Sequence, residues 1–343
     1  MRCFYDPATA GHAPQFFMVR GRPVANEERA ERAERLLAAL KTLGLPTEAP
    51  SPVSAAALTA VHTPRYLNFL ETAHAAWQSL PGAGPEVLPN VVPRRPETRY
   101  PAGLVGKAGF HMGDLACPIG PATFSAAIAA ASTAASAANA VIEGAPAAYA
   151  LTRPPGHHAH AEMAAGHCFL NNAAIAAAAL TKAGARVAIL DMDVHHGNGT
   201  QAIFYERPDI LTVSIHTHPD GFYPWFVGHH DEMGAGPGEG FNLNLPLPMG
   251  ADDAAWHAAL GRGIDAVHAF GADTLVLSLG LDVHASDPLA GMTVTTDGLR
   301  AAGALIGAVP LPTAIVQEGG YLSPELTTNA AAFLSAFLSA RPL

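Results

Sequence analysis

The sequence predicts an α/β domain whose mostly parallel sheet carries helices on both faces. Three observations lead there. Short apolar, β-branched runs recur at 186–190, 210–215, 274–279 and 313–316, too continuous for one-sided strands. Longer stretches with helical spacing alternate with them, the rhythm of strand–helix–strand units. Polar, metal-ligating side chains stand at the carboxyl ends of the runs, where open α/β sheets keep their ligand sites. The composition agrees: 343 residues, 49% hydrophobic and 14% charged, allow a large core and argue against disorder. Residues 1–343 are read as one domain.

Residues 2–5 read as a first strand, and 6–24, with Pro7, Gly11, Pro14, Gly21 and Pro23, as a loop. Asn26 is expected to cap a helix reaching about Leu43, with Ala33, Leu36, Leu37, Leu40 and Leu43 on its apolar side. Glu28–Arg32 and Glu31–Arg35 are spaced as ion pairs on its wet face, and Gly44 stops it. A second helix covers about 64–77. Residues 80–101 break the composition with Pro81, Pro85, Pro89, Pro93, Pro96 and Pro101 among Arg94, Arg95 and Arg99. That segment is longer than a connector needs and reads as an insertion with a functional or subunit-contact role. Pro121 suits the first turn of an alanine-rich helix to about Glu143. Its Ser125, Ser132, Thr133, Ser136 and Asn139 fit a packed helix better than a membrane span. A strand is expected at 149–152, a helix at 171–182, and later helices near 252–270, 296–309 and 327–338.

The chemistry centres on Asp191-Met-Asp193-Val-His195-His196-Gly197-Asn198-Gly199, directly after the run at 186–190. Asp193 and His195 are two apart, so on an extended strand both point to one side. An oxygen and a nitrogen ligand together suit a divalent ion such as zinc. Asp282, at the end of the run at 274–279, is the natural third ligand, although an Asp after a strand also serves as a helix cap. Two carboxylates and one imidazole leave coordination open, as catalytic zinc sites do. Arg153-Pro-Pro-Gly-His157-His158 supplies a general base and its electrostatic neighbour, and Glu318-Gly-Gly-Tyr321 aims a phenol into the cleft. The assembled chemistry is amide hydrolysis without a covalent enzyme intermediate.

Three cysteines without a CxxC spacing argue against a disulfide framework and suit the cytoplasm. A formal net charge of -10 makes nucleic acid an unsuitable partner, and no membrane partner is expected.

The runs Arg153-Pro-Pro-Gly-His-His-Ala159, Gly166-His-Cys-Phe-Leu-Asn-Asn172, Asp191 to Gln201, Ser278-Leu-Gly-Leu-Asp282, Asp287-Pro288 and Glu318-Gly-Gly-Tyr321 carry a resemblance across nearly the whole chain. The chain resembles the arginase–deacetylase superfamily and, within it, the zinc-dependent histone deacetylase-like amidohydrolases. Its length and the 80–101 segment look most like the bacterial acetylpolyamine amidohydrolases. The resemblance implies a sheet of about eight strands and one zinc per chain on Asp193, His195 and Asp282. It implies His158 as general base and acid, and His157 as its electrostatic partner held by Asp191. Tyr321 would polarise the carbonyl and hold the oxyanion. Asn198 stands where some relatives have Asp, leaving His158 less basic. The resemblance further implies a potassium ion at Asp191, Asp193, Ser214 and backbone carbonyls. It also implies a homodimer through the insertion and a small acylated amine as substrate.

The sequence departs from that pattern in places. His167 replaces the Phe or Tyr that relatives place on the channel wall, with Tyr223 opposite. Gln15 and Val105 stand where the acetylpolyamine enzymes have acids, which implies a mouth without local anions and a broad tolerance for neutral amides. Two other readings compete. A binuclear-manganese ureohydrolase would use Asp282-Val-His284 for a second ion. A non-enzymatic acyl-amine binding protein should have lost a ligand or Tyr321, and neither is missing.

Overall fold

The computed structural model describes residues 1–93 and 99–341. Its strands are β1 (Arg2–Phe4), β2 (Phe16–Val19), β3 (Arg22–Ala25), β4 (Thr47–Glu48), β5 (Ala147–Ala150), β6 (Val187–Asp191), β7 (Ile210–Thr217), β8 (Asn242–Leu247), β9 (Thr274–Leu279) and β10 (Thr313–Gln317). Eight of them form one sheet in the order β4-β1-β5-β10-β9-β6-β7-β8, every pairing parallel. All residues of β5, β6, β7, β9 and β10 are buried, which explains their mostly apolar character.

The helices are α1 (Glu31–Thr42), α2 (Ala55–Thr59), α3 (Pro64–Trp77), α4 (Leu104–His111), α5 (Thr123–Ile142), α6 (Asn172–Lys182), α7 (Asn198–Phe204), α8 (Asp253–Phe270), α9 (Thr296–Gly307) and α10 (Leu326–Ala340). Alternation along the strands divides the core into two layers. Ala148, Ala150, Val187, Ile189, Val276 and Val316 pack with α3, α5 and α6 on one face. Tyr149, Ala188, Leu190, Leu275, Leu277 and Ile315 pack with α1, α8, α9 and α10 on the other. Each fully buried Leu, Ile or Val contributes roughly 1.5–3 kcal/mol. Helix α5 is long and apolar enough to cross a membrane, but most of it is buried inside the protein.

Several elements depart from the sequence expectation. The stretch expected as a loop at 6–24 holds a short 3-10 helix (Pro7–Gly11) and the antiparallel β2–β3 hairpin. Arg20 and Gly21 turn the hairpin with φ 48° and 78°, and its length is too short for a periodic signal. Helix α1 begins at Glu31, not beside Asn26, whose Oδ1 accepts instead from the Glu28 N–H at 2.8 Å. The expected wet face is wrong at its first pair: Glu28 and Arg32 are both buried and paired. Glu31 pairs with Arg29 rather than Arg35. Strand β5 ends two residues earlier than expected, and the sequence reading does not anticipate β4, β8, α2, α4 or α7. Of the insertion at 80–101, Arg94, Arg95 and Pro96 lie outside the described residues.

Candidate active site

Four neighbouring strands, β5, β10, β9 and β6, deliver the chemistry from their carboxyl ends. In the loop after β6, Asp193 and His195 face Asp282 from the loop after β9, with ligand atoms all within 4.8 Å of one another. His195 Nδ1 lies 3.1 Å from Asp193 Oδ1 and 3.3 Å from Asp282 Oδ2. Backbone amides fix the outer oxygens: Gly319 N–H donates to Asp193 Oδ2 at 2.7 Å, and Val194 N–H to Asp282 Oδ1 at 3.1 Å. A Cβ on Gly319 would sit 2.0 Å from Asp282 Oδ2 and 2.5 Å from Asp193 Oδ2, so only glycine lets this loop close on both carboxylates.

These residues fit a divalent metal. Asp282 Oδ2 is buried without a hydrogen-bond partner, and burial with the nearby Asp193 charge pushes the Asp282 carboxyl up to about 7. Two fully buried carboxylates this close need a shared cation. The His284 imidazole, by contrast, turns to Ser286 Oγ at 2.9 Å and is absent from the ligand triangle. The second metal position of a ureohydrolase is therefore not built at Asp282-Val-His284.

Beside the triangle, the His157 and His158 rings lie 4.0 Å apart. His157 Nδ1 meets Asp191 Oδ2 at 2.9 Å. Burial opposes a charge on His157, but Asp193 and Asp191 outweigh it and raise the group to about 10. His158 is the reverse: burial and then the His157 charge hold it well below its ordinary value. Its Nδ1–H donates to Asn198 Oδ1 at 2.7 Å, which leaves Nε2 as the basic nitrogen. A Cβ at Gly166 would meet His158 Cδ2 at 2.3 Å, so this glycine gives the imidazole its room.

Tyr321 is buried, its phenol pushed up by burial, with its N–H bound to Asp287 Oδ2 at 2.7 Å. The wall residues anticipated from sequence come together here. His167, at φ 67°, has its ring 5.8 Å from that of Tyr321, and the Tyr223 ring is 4.9 Å from that of His158. Burial lowers His167 to about 4, so the wall is a neutral imidazole near pH 7. The residues expected around potassium lie on and just after two neighbouring strands. Asp191 and Ser214 are register partners on β6 and β7, while Asp193 turns its carboxylate to His195 and Gly319. Gln15 and Val105 are both exposed.

Sequence reasoning missed other residues. Tyr223 O–H donates to Asp114 Oδ2 at 2.6 Å, and Gly166 N–H donates to the same oxygen at 2.9 Å. A half-buried carboxylate thus stands behind Tyr223, an acid that the reading of Gln15 and Val105 does not consider. Phe222 stacks on His195 at 4.9 Å and Phe17 meets His167 edge-on at 5.3 Å. Asp114 is a lone loop acid with no motif around it. The Phe222-Tyr223 pair was the one available signal for the stacked ring.

Comparison with known proteins gives the family. The histone deacetylase domain matches residues 26–337. The chain is 47% identical over 338 residues to an acetylpolyamine amidohydrolase of Burkholderia pseudomallei, covering 98% of each chain. It is 40% identical to acetylpolyamine amidohydrolase 2 of Pseudomonas aeruginosa, covering 90% of this chain and 91% of that one. The crystal structure of acetylpolyamine aminohydrolase from Burkholderia pseudomallei superposes with a TM-score of 0.96 at 46% identity, over 100% of both chains. The chain therefore belongs to the histone deacetylase family and is an enzyme that hydrolyses amides.

Proposed function

We propose that this enzyme is a zinc-dependent deacetylase of small acetylated amines, with acetylpolyamines as its substrate class. The observation that carries the reading is the buried Asp193–His195–Asp282 triangle beside a neutral His158, in a channel walled by His167 and Tyr223. The names of the acetylpolyamine amidohydrolases that it resembles support the substrate class.

Asp193, His195 and Asp282 would hold one zinc. The chemistry such an ion supplies is polarisation of the amide carbonyl and acidification of a water to a pKa of about 7. His158 Nε2 takes the proton of the attacking water and returns it to the departing amine. His157 stays cationic between Asp191 and Asp193, a fixed charge that keeps its neighbour neutral until the proton arrives. The Tyr321 hydroxyl remains protonated and donates to the carbonyl oxygen as negative charge develops there. His167, Tyr223 and Phe222 confine the acyl group and exclude bulk water.

Asp114 supplies what Gln15 and Val105 do not, a local anion for a distal ammonium. We expect kcat/KM for N-acetylputrescine to exceed that for a neutral acetyl-amide of equal length by about 10- to 100-fold, or ~1.4–2.7 kcal/mol. Asp114→Asn should remove most of the difference while keeping the acceptor for Tyr223. Equal efficiency on both substrates would sink the polyamine assignment, and failure to cleave either would sink the deacetylase.

The same reading makes the protein a homodimer through the 80–101 segment. Val91 and Val92, 67% and 41% exposed, are apolar surface in search of cover. Sedimentation should give the mass of two chains; a single-chain mass counts against it.

A further inference from the structure

A neutral imidazole serves as a base only if its one proton sits on the other nitrogen. His158 must keep Nε2 bare to take a proton from water, so the proton has to stay on Nδ1. Nδ1 lies 2.7 Å from Asn198 Oδ1, and an oxygen can only accept, so this contact holds the proton there. An amide has two ends, however. Turned over, Asn198 would present its NH2 group to Nδ1, and the His158 proton would move to Nε2. A partner at the far end of the amide has to decide which way it faces.

That partner is on the page. Asn198 Nδ2 lies 3.3 Å from Nε2 of His160, and an amide NH2 can only donate, so His160 Nε2 is bare and accepts. We propose that His160 is the positioning residue that fixes the tautomer of His158, acting through the Asn198 amide. A bare Nε2 on His160 dictates Nδ1–H, and hence a bare Nε2, on His158. A proton on His160 Nε2 turns the amide over and blocks Nε2 of His158. The backbone on both sides of this chain is held. Asn171 Nδ2 donates to Ala159 O at 3.0 Å, and His160 N–H donates to Met163 O at 2.9 Å. His62 Nε2 accepts from the Asn171 N–H at 2.9 Å, which leaves its proton on Nδ1 to donate to His160 O at 3.1 Å. Across from them, Thr200 N–H donates to His157 O at 3.1 Å, and a Cβ on Gly199 would collide with Ala159 O. His158 and Asn198 are buried while His160 is half-buried, so the state of the base is set from the edge of the site.

The inference rests on His158 as the general base, and the position of a proton can be read without turnover. In the zinc-loaded enzyme with 15N-labelled histidine, NMR should show His158 protonated at Nδ1 and His160 bare at Nε2. His160→Leu removes the acceptor at similar bulk. It should move His158 toward the Nε2–H form and lower kcat about 3- to 10-fold, with KM changed less than about twofold. His160→Gln, whose side-chain oxygen can stand in for Nε2, should keep the Nδ1–H form and at least about half of kcat. In the Asn198→Ala background His160→Leu should change kcat less than about twofold, because the amide it orients is gone. A His158 tautomer unchanged by His160→Leu, or equal losses in both backgrounds, would overturn the proposal and leave His158 as the base. Near-normal turnover by His158→Ala would overturn the base reading and the proposal with it. If His160→Leu does not fold, the parent spectrum decides: a proton on His160 Nε2 would overturn the proposal.

Discussion

Dialysis against a chelator is expected to abolish amide hydrolysis, and one equivalent of zinc per chain to restore it. The expectation follows from the donor set. Asp193 and Asp282 are fully buried, and Asp282 Oδ2 has no hydrogen-bond partner of its own. Without a metal ion the two carboxylates are left with only the His195 imidazole between them, its burial outweighed by Asp193 and Asp282, which raise it to about 9, and the attacking water keeps its bulk pKa. Rate losses of at least ~10³-fold follow from that change in acidity. Asp282→Asn should show the same loss. It has a second readout that does not depend on turnover: zinc should raise the melting temperature of the parent and not of the variant. A ligand present at 100 times its Kd stabilises by about 2.7 kcal/mol. Two manganese ions per chain with ureolytic activity, or an unchanged rate after chelation, would remove the zinc reading.

Tyr321→Phe should give a folded protein that binds zinc and substrate and turns over about 10²–10³-fold more slowly, ~2.7–4 kcal/mol of transition-state stabilisation. The ring keeps its place against Arg32 and His167, and the backbone N–H keeps Asp287, so only the hydroxyl is lost. The loss should fall on kcat, because the donor acts where negative charge develops. A variant with near-normal kcat would take Tyr321 out of the mechanism.

The residues of the candidate site were legible in the sequence because they sit in short runs fixed to strand ends. Asp191 ends β6, with Asp193 and His195 two and four residues beyond it, and Asp282 and Tyr321 repeat the arrangement after β9 and β10. The supports were not legible, since each depends on chain segments brought together only by folding. Asp114 meets Tyr223 across 109 residues, and Arg32 reaches Gly320 across 288. The i,i+4 spacing of Glu28 and Arg32 carried the pairing correctly and the burial wrongly. Spacing reports which side chains can touch; only the packed chain decides which of them face water. The β2–β3 hairpin and β8 escaped because they are short and weakly alternating, and β3 is exposed along its whole length.

The order of strands also has a bearing on how the chain is made. β10 lies between β5 and β9, so the strand of this sheet that is made after the other seven is an interior one. Until residues 313–317 emerge, β5 and β9 each present an open parallel edge, and nothing in the finished pairing joins the two halves of the sheet. Parallel pairings over such sequence distances form slowly. The strand that closes the sheet is followed directly by Glu318-Gly-Gly-Tyr321, so synthesis completes the scaffold and delivers the phenol in one stretch. A nascent chain stopped short of that point has the Asp193–His195–Asp282 triangle and the His157–His158 pair, held on two separate pieces of sheet.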